Sequence, residues 1–161
     1  MTGLPVLQAA LVVHAAARVG AALVPVDPRR PPQWRTALWL ECGVSRALSS
    51  AADFEVLESA ATSDGPVRAV PDAVHLIVGT SGSGGEPKGA MLTGRNLAAS
   101  VHASRERLGL QSGDRWLLCL PVWHLGGLAV LYGCVEAGAC AVLHEAFDAA
   151  RVWDDLRRRD R

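Results

Sequence analysis

Lysine is almost missing from this chain of 161 residues: of sixteen basic side chains, fifteen are arginine and one, Lys88, is lysine. A chain that uses arginine at nearly every cationic position and lysine once marks that position as wanting a compact ammonium on a flexible stem rather than a planar fork. No charge of either sign dominates. Sixteen basic residues meet sixteen acidic ones and the formal net charge is zero, so nothing in the totals points to a nucleic-acid partner. Paired cysteines are also lacking. Cys42, Cys119, Cys134 and Cys140 show neither metal-ligand nor redox spacing, and they read as reduced, mostly buried thiols of a cytoplasmic protein. Long uninterrupted apolar runs do not occur. The first twenty residues carry no basic leading segment and are broken by Gln8, His14 and Arg18, which argues against an export signal and against a membrane span.

What remains is a chain that is half hydrophobic, enough for one ordinary domain with a real core. Residues 4–18 read as a buried helix ending near Gly20, and 22–26 as a short apolar strand stopped by Asp27-Pro28. A helix follows over 32–42, with proline at its start and Gly43 past its end. Residues 45–50 read as a second short strand and 54–60 as a short helix. VHLIVGT, 74–80, is a continuous run rich in branched residues and reads as a buried strand. Thr93 is placed to cap a helix that carries Leu97, Val101 and Leu108 on one face and stops at Gly109. The segment 116–121 reads as a strand, 125–138 as a buried helix, 140–145 as a strand, and the tail as an amphipathic helix. Strands that are apolar on both faces and alternate with helices predict a three-layer α/β fold around a mostly parallel sheet.

Chemistry concentrates in one stretch, Thr80-Ser81-Gly82-Ser83-Gly84-Gly85-Glu86-Pro87-Lys88-Gly89. Glycines let successive backbone N–H groups turn toward one point, and such a concavity holds anions, phosphate above all. Three hydroxyls add donors and Lys88 adds a mobile positive charge. Two common phosphate patterns do not fit. The P-loop needs glycine before its lysine and a hydroxyl after it, where this chain has Pro87 and Gly89. The dinucleotide pattern fails because Pro87 stands at the third glycine. On composition alone the stretch reads equally as a phosphate cradle or as a surface loop between a strand and a helix.

The same stretch closely resembles the signature loop of the adenylate-forming superfamily, which includes acyl-CoA synthetases, luciferases and the adenylation domains of peptide synthetases. Other segments resemble that family in the same order: ARVGAALVPVDPRRPP before the loop, AMLTGRNLAAS after it, and LCLPVWHLGGLAVL with His124 at the family's histidine. The spacing and the text from LGLQSGDRWLLCLP to GACAVLHEAFDA look most like the o-succinylbenzoate–CoA ligases of menaquinone synthesis. By this resemblance residues 1–161 form an incomplete N-terminal AMP-binding domain.

The resemblance implies a ligase that uses ATP and Mg²⁺ to turn a small carboxylic acid into an acyl-adenylate and then passes the acyl group to coenzyme A. Thr80, Ser81, Gly82, Ser83, Gly84, Gly85 and Lys88 would hold the ATP phosphates, and His124 would lie near the acyl pocket; the bland alternative for His124 is a packed histidine after a strand. The chain departs from the family at Gly84, where threonine is usual. The family's Thr-Glu segment, its ribose-binding aspartate and the lysine of its small C-terminal domain would follow residue 161, so no catalytic residue is assigned here. A missing C-terminal portion or self-association is the expected partner. The alternative reading is a non-catalytic remnant that keeps the fold and phosphate affinity without ligase activity.

Overall fold

The computed structural model describes residues 1–60, 71–81 and 86–158. It falls into two compact units, Met1–Ser100 and Val101–Arg161.

The first unit begins with helix α1, Val6–Val19. Val6, Ala9, Ala10 and Val13 recur at helical spacing and are buried with Val12. Gly20, at φ 71°, ends the helix in the left-handed conformation, and its N–H donates to the carbonyl of Ala16. Helix α2, Pro32–Glu41, starts on a proline whose missing N–H has no partner to lose there. Helix α3 spans Ala51–Ala60, and the Asp53 carboxylate accepts from the backbone N–H groups of Ser49 and Ser50. Strands β1, Val74–Ser81, and β2, Pro87–Thr93, follow, and helix α4, Gly94–Leu108, starts after them. Thr93 caps α4 as expected: its hydroxyl accepts from the N–H of Asn96 at 3.2 Å, and the Asn96 side-chain Oδ1 accepts from the N–H of Thr93 at 3.0 Å.

The core of this unit is Val24, Val26 and Leu38, with Trp34, Trp39, Cys42, Val44 and Ile77 packed against them. Leu38 is fully buried, a placement worth about 2–3 kcal/mol in apolar area alone. The segment expected as a strand at 22–26 makes a parallel bridge to β1: Leu23 N–H donates to His75 O and Ile77 N–H to Leu23 O. The Met1 ammonium donates to the carbonyl of Val24 at 3.0 Å, and Val26 N–H donates to the carbonyl of Met1. Residues 45–50 form no strand, although the Leu48 carbonyl accepts from Thr2 N–H.

The second unit holds β3, Arg115–Leu118; α5, Leu125–Ala137; β4, Cys140–Leu143; and α6, Ala149–Arg157. β3 and β4 pair in parallel with α5 as their crossover, the connection that parallel strands require. The Trp116 ring lies against Gly133 of α5, where a Cβ would approach it to 2.8 Å. Asp148 caps α6 by accepting from Arg151 N–H at 2.9 Å. His144 is buried, and its Nε2 lies 2.6 Å from Asp155 Oδ2 on α6.

The described strands form two two-stranded sheets, one antiparallel and one parallel, and a mostly parallel three-layer sheet is not shown among them. The reason lies at the glycine stretch. Only five residues separate β1 from β2, and so short a link closes only an antiparallel pair. The stretch therefore joins two strands, β2 runs on through residues 90–93, and α4 starts at Gly94, where the Thr93 cap places it. Along α4, Val101 is buried but Leu108 is 63% exposed, so the apolar face predicted for that helix is not buried along its length.

Candidate functional site

β1 and β2 position the residues singled out in the sequence. β1 forms because VHLIVGTS is apolar and branched, and Leu76 in it is fully buried. β2 begins at Pro87, which is buried; a strand's first residue is a position where the lost N–H matters least. The pairing register then sets Gly79 opposite Gly89, Thr80 opposite Lys88 and Ser81 opposite Pro87. The Thr80 hydroxyl donates to the Lys88 carbonyl oxygen at 3.2 Å. Thr80 and Lys88 are both exposed, and among the described residues Lys88 joins no salt bridge. The structure thus brings Thr80, Ser81 and Lys88 together at one end of the hairpin. Gly82, Ser83, Gly84 and Gly85 lie outside the described residues.

Below this end, the face opposite Thr80 and Lys88 is covered by α2. A Cβ on Gly79 would come within 2.8 Å of Leu38 and 2.9 Å of Trp34, and one on Gly89 within 2.7 Å of both Cys42 Sγ and Ile77. Trp34, Leu38 and Cys42 recur every four residues, which puts them on one stripe. The guanidinium of Arg30 sits 4.9 Å above the Trp34 ring. Burial, helped by the neighbouring Glu41 charge, pushes the Cys42 thiol up, which keeps it neutral. In the sequence, Gly79 and Gly89 read only as parts of a strand and a loop. Their opposition across a hairpin, and the i, i+4, i+8 spacing of Trp34, Leu38 and Cys42, are the signals that could have found them.

Just before α2, the Arg29 side chain bonds to Asp27 at 2.9 Å and holds that carboxyl below its ordinary range.

His124 belongs to the second unit, as the residue that caps α5. Its Nδ1 accepts from Gly126 N–H at 3.2 Å, and its ring is exposed rather than packed. Gly127 allows the tight turn that precedes the helix, since a Cβ there would fall 2.3 Å from the carbonyl oxygen of Pro121. A separate groove of about 700 Å³ in this unit is walled by Leu110, Trp116, Leu117 and Leu156, and His124 is not among its lining residues. Among the described residues no three His, Cys, Asp or Glu side chains are grouped to hold a metal ion, and no helix is long and apolar enough to cross a membrane.

The chain is 42% identical over 112 residues to the 2-succinylbenzoate–CoA ligase of Bacillus licheniformis, an overlap of 66% of this chain and 23% of that protein. It is 32% identical over 161 residues to the corresponding ligase of Bacillus cereus, covering 92% of this chain and 33% of that one. Among solved structures, o-succinylbenzoate CoA synthetase (MenE) from Bacillus subtilis in complex with the acyl-adenylate OSB-AMP superposes with a TM-score of 0.83 at 26% identity, covering 98% of this chain and 46% of that one. The likeness supports an α/β fold matching part of the large domain of such enzymes. The chain spans about a third of the length of the Bacillus cereus relative. The sequence model of the AMP-binding enzyme family matches residues 3–160, and the chain belongs to that family.

Proposed function

We propose that this chain is the phosphate-gripping part of an AMP-forming carboxylate–CoA ligase, and that its acid is of the o-succinylbenzoate type. One observation carries the reading: Thr80 and Lys88 stand opposite each other on paired strands, exposed, at the end of the hairpin where the glycine run joins them. A hydroxyl, a cation and a set of turned backbone N–H groups at one point are what a polyphosphate needs. In this reading Thr80, Ser81, Gly82, Ser83, Gly84, Gly85 and Lys88 hold the β- and γ-phosphates of ATP, and His124 borders the acyl pocket. The names of the relatives support coenzyme A as acyl acceptor.

The reaction divides into two steps. A carboxylate oxygen attacks the α-phosphorus of ATP, the bond to the bridging oxygen breaks, and pyrophosphate leaves with the electron pair. The thiol of coenzyme A then gives up its proton, attacks the acyl carbon, and AMP leaves. Lys88 would stabilise the charge that grows on the departing pyrophosphate, and the strand register would keep it in place as that charge develops. No residue of this chain is assigned to the Mg²⁺ that such ligases use, since no suitable group of side chains stands together among the described residues.

ATP–pyrophosphate exchange tests the reading. Run with a panel of acids, and with and without a polypeptide matching the remaining two thirds of the relatives, exchange should depend on both the acid and the added portion. Acid-dependent exchange by the 161-residue chain alone would place catalytic groups within it and overturn the assignment of phosphate grip without catalysis. Gly84, where threonine is usual, favours a second reading: a phosphate-binding module without ligase activity. It predicts ATP binding with no exchange under any pairing.

A further inference from the structure

We infer that helix α2 is a positioning element for Thr80 and Lys88, acting through the close fit of Trp34, Leu38 and Cys42 against the glycine pair Gly79 and Gly89. The inference rests on the phosphate reading above and deepens it.

A two-stranded ribbon has a soft twist, and alone it is marginal in water. Something must fix the stagger of β1 against β2 if residues at its end are to meet a ligand in one geometry. Here that stagger is set from the covered face. Gly79 and Gly89 are directly paired, and each leaves the space of a missing side chain open to α2. Trp34 and Leu38 fill the space over Gly79, and Cys42 fills the space over Gly89. Each glycine is followed or preceded at once by a candidate ligand: Thr80 after Gly79, Lys88 before Gly89. Side chains alternate across a strand, so the residues that face the phosphate side are next in line to those that seat the helix. A shift of the helix by the width of one methyl group would be felt one residue later by both.

The contact at Gly89 is the stricter of the two. Its neighbours there are Cys42 Sγ and the branched Ile77, both 2.7 Å from the point that a β-carbon would occupy and both close to their own backbones. At Gly79 the neighbours are the outer ring of Trp34 and the δ-methyl of Leu38, which have more freedom to give way.

The test is a size exchange read by calorimetry with inorganic pyrophosphate and by thermal unfolding. Gly89→Ala should weaken binding by about tenfold, the lower end of what one hydrogen bond to a charged group contributes. Gly89→Ala combined with Cys42→Ala, which removes the sulfur but leaves the Ile77 methyl in place, should recover the share of that loss that the sulfur causes. A purely structural role would lower the unfolding temperature of Gly89→Ala and leave its affinity, measured well below that temperature, at the wild-type value; that result overturns the inference. So does a double variant that binds no better than Gly89→Ala alone. Should Gly89→Ala fail to fold, Gly79→Ala, with its more yielding neighbours, should show the same loss on a smaller scale, and wild-type affinity in that variant would count against α2. Equal binding by wild type and Lys88→Ala would instead reject the phosphate reading itself, and the inference with it. A loss seen with Lys88→Ala but not with either glycine variant rejects only the role of α2.

Discussion

The hydroxyl of Thr80 donates to the carbonyl oxygen of Lys88 across the β1–β2 pair at 3.2 Å, so the two residues are tied by a side-chain bond as well as by the strand register. The ammonium of Lys88 is left outside that bond. Lys88→Ala should therefore keep the hairpin and weaken polyphosphate binding by roughly ten- to a hundredfold, the range expected for a hydrogen bond to a charged group. Titration calorimetry with ATP reads this directly. Wild-type affinity in the variant would remove Lys88 from the site.

Leu38 is fully buried among Val24, Val26, Trp34 and Ile77. Leu38→Ala should destabilise the protein by about 2–5 kcal/mol, lost apolar burial and a residual cavity together. Denaturant titration measures it, and a shift below about 1 kcal/mol would mean that the site collapses around the smaller side chain.

Stability should rise between pH 6 and 8. Burial pushes the Met1 ammonium down from 8.0 to about 6. In the unfolded chain the amine keeps its proton up to the higher value; in the folded chain it lets go above the lower one. Between them the unfolded state binds more protons, so raising the pH favours folding, by at most about 2–3 kcal/mol over the window. His14, also lowered by burial, acts with the same sign toward the acid end. Unfolding midpoints that stay flat or fall from pH 6 to 8 would contradict this.

Asp155→Ala should cost about 1–3 kcal/mol. It strips the partner from His144 Nε2, and Nδ1 of that buried ring has no partner among the described residues. Asp155→Asn, which can still take part in one hydrogen bond, should cost less. Equal unfolding midpoints for wild type and both variants would show that the pair contributes nothing.

Much of this molecule could be read from its residues because the deciding interactions are local. Glycine after an apolar helix sets the ends of α1 and α5, and Thr93 announces α4 through its own side chain. The stretch from Thr80 to Gly89 stands out in the sequence as a phosphate-binding candidate by its glycines and its lone lysine. What the sequence hides is what depends on pairing and packing between elements. Pro87 and Gly89 are poor strand residues, and β2 exists because it hydrogen-bonds to β1 and lies against α2. The burial pattern of α4 likewise depends on what surrounds it: Leu97 and Leu108 share the spacing of Val101, yet of the three only Val101 is buried.

His124 spends one lone pair on its own helix. Because Nδ1 accepts the Gly126 N–H, the ring proton of the neutral imidazole sits on Nε2, and the exposed edge of the ring is a donor. A group that hydrogen-bonds to that edge does so as an acceptor. The bond that caps α5 thus also fixes which edge of the His124 ring can donate.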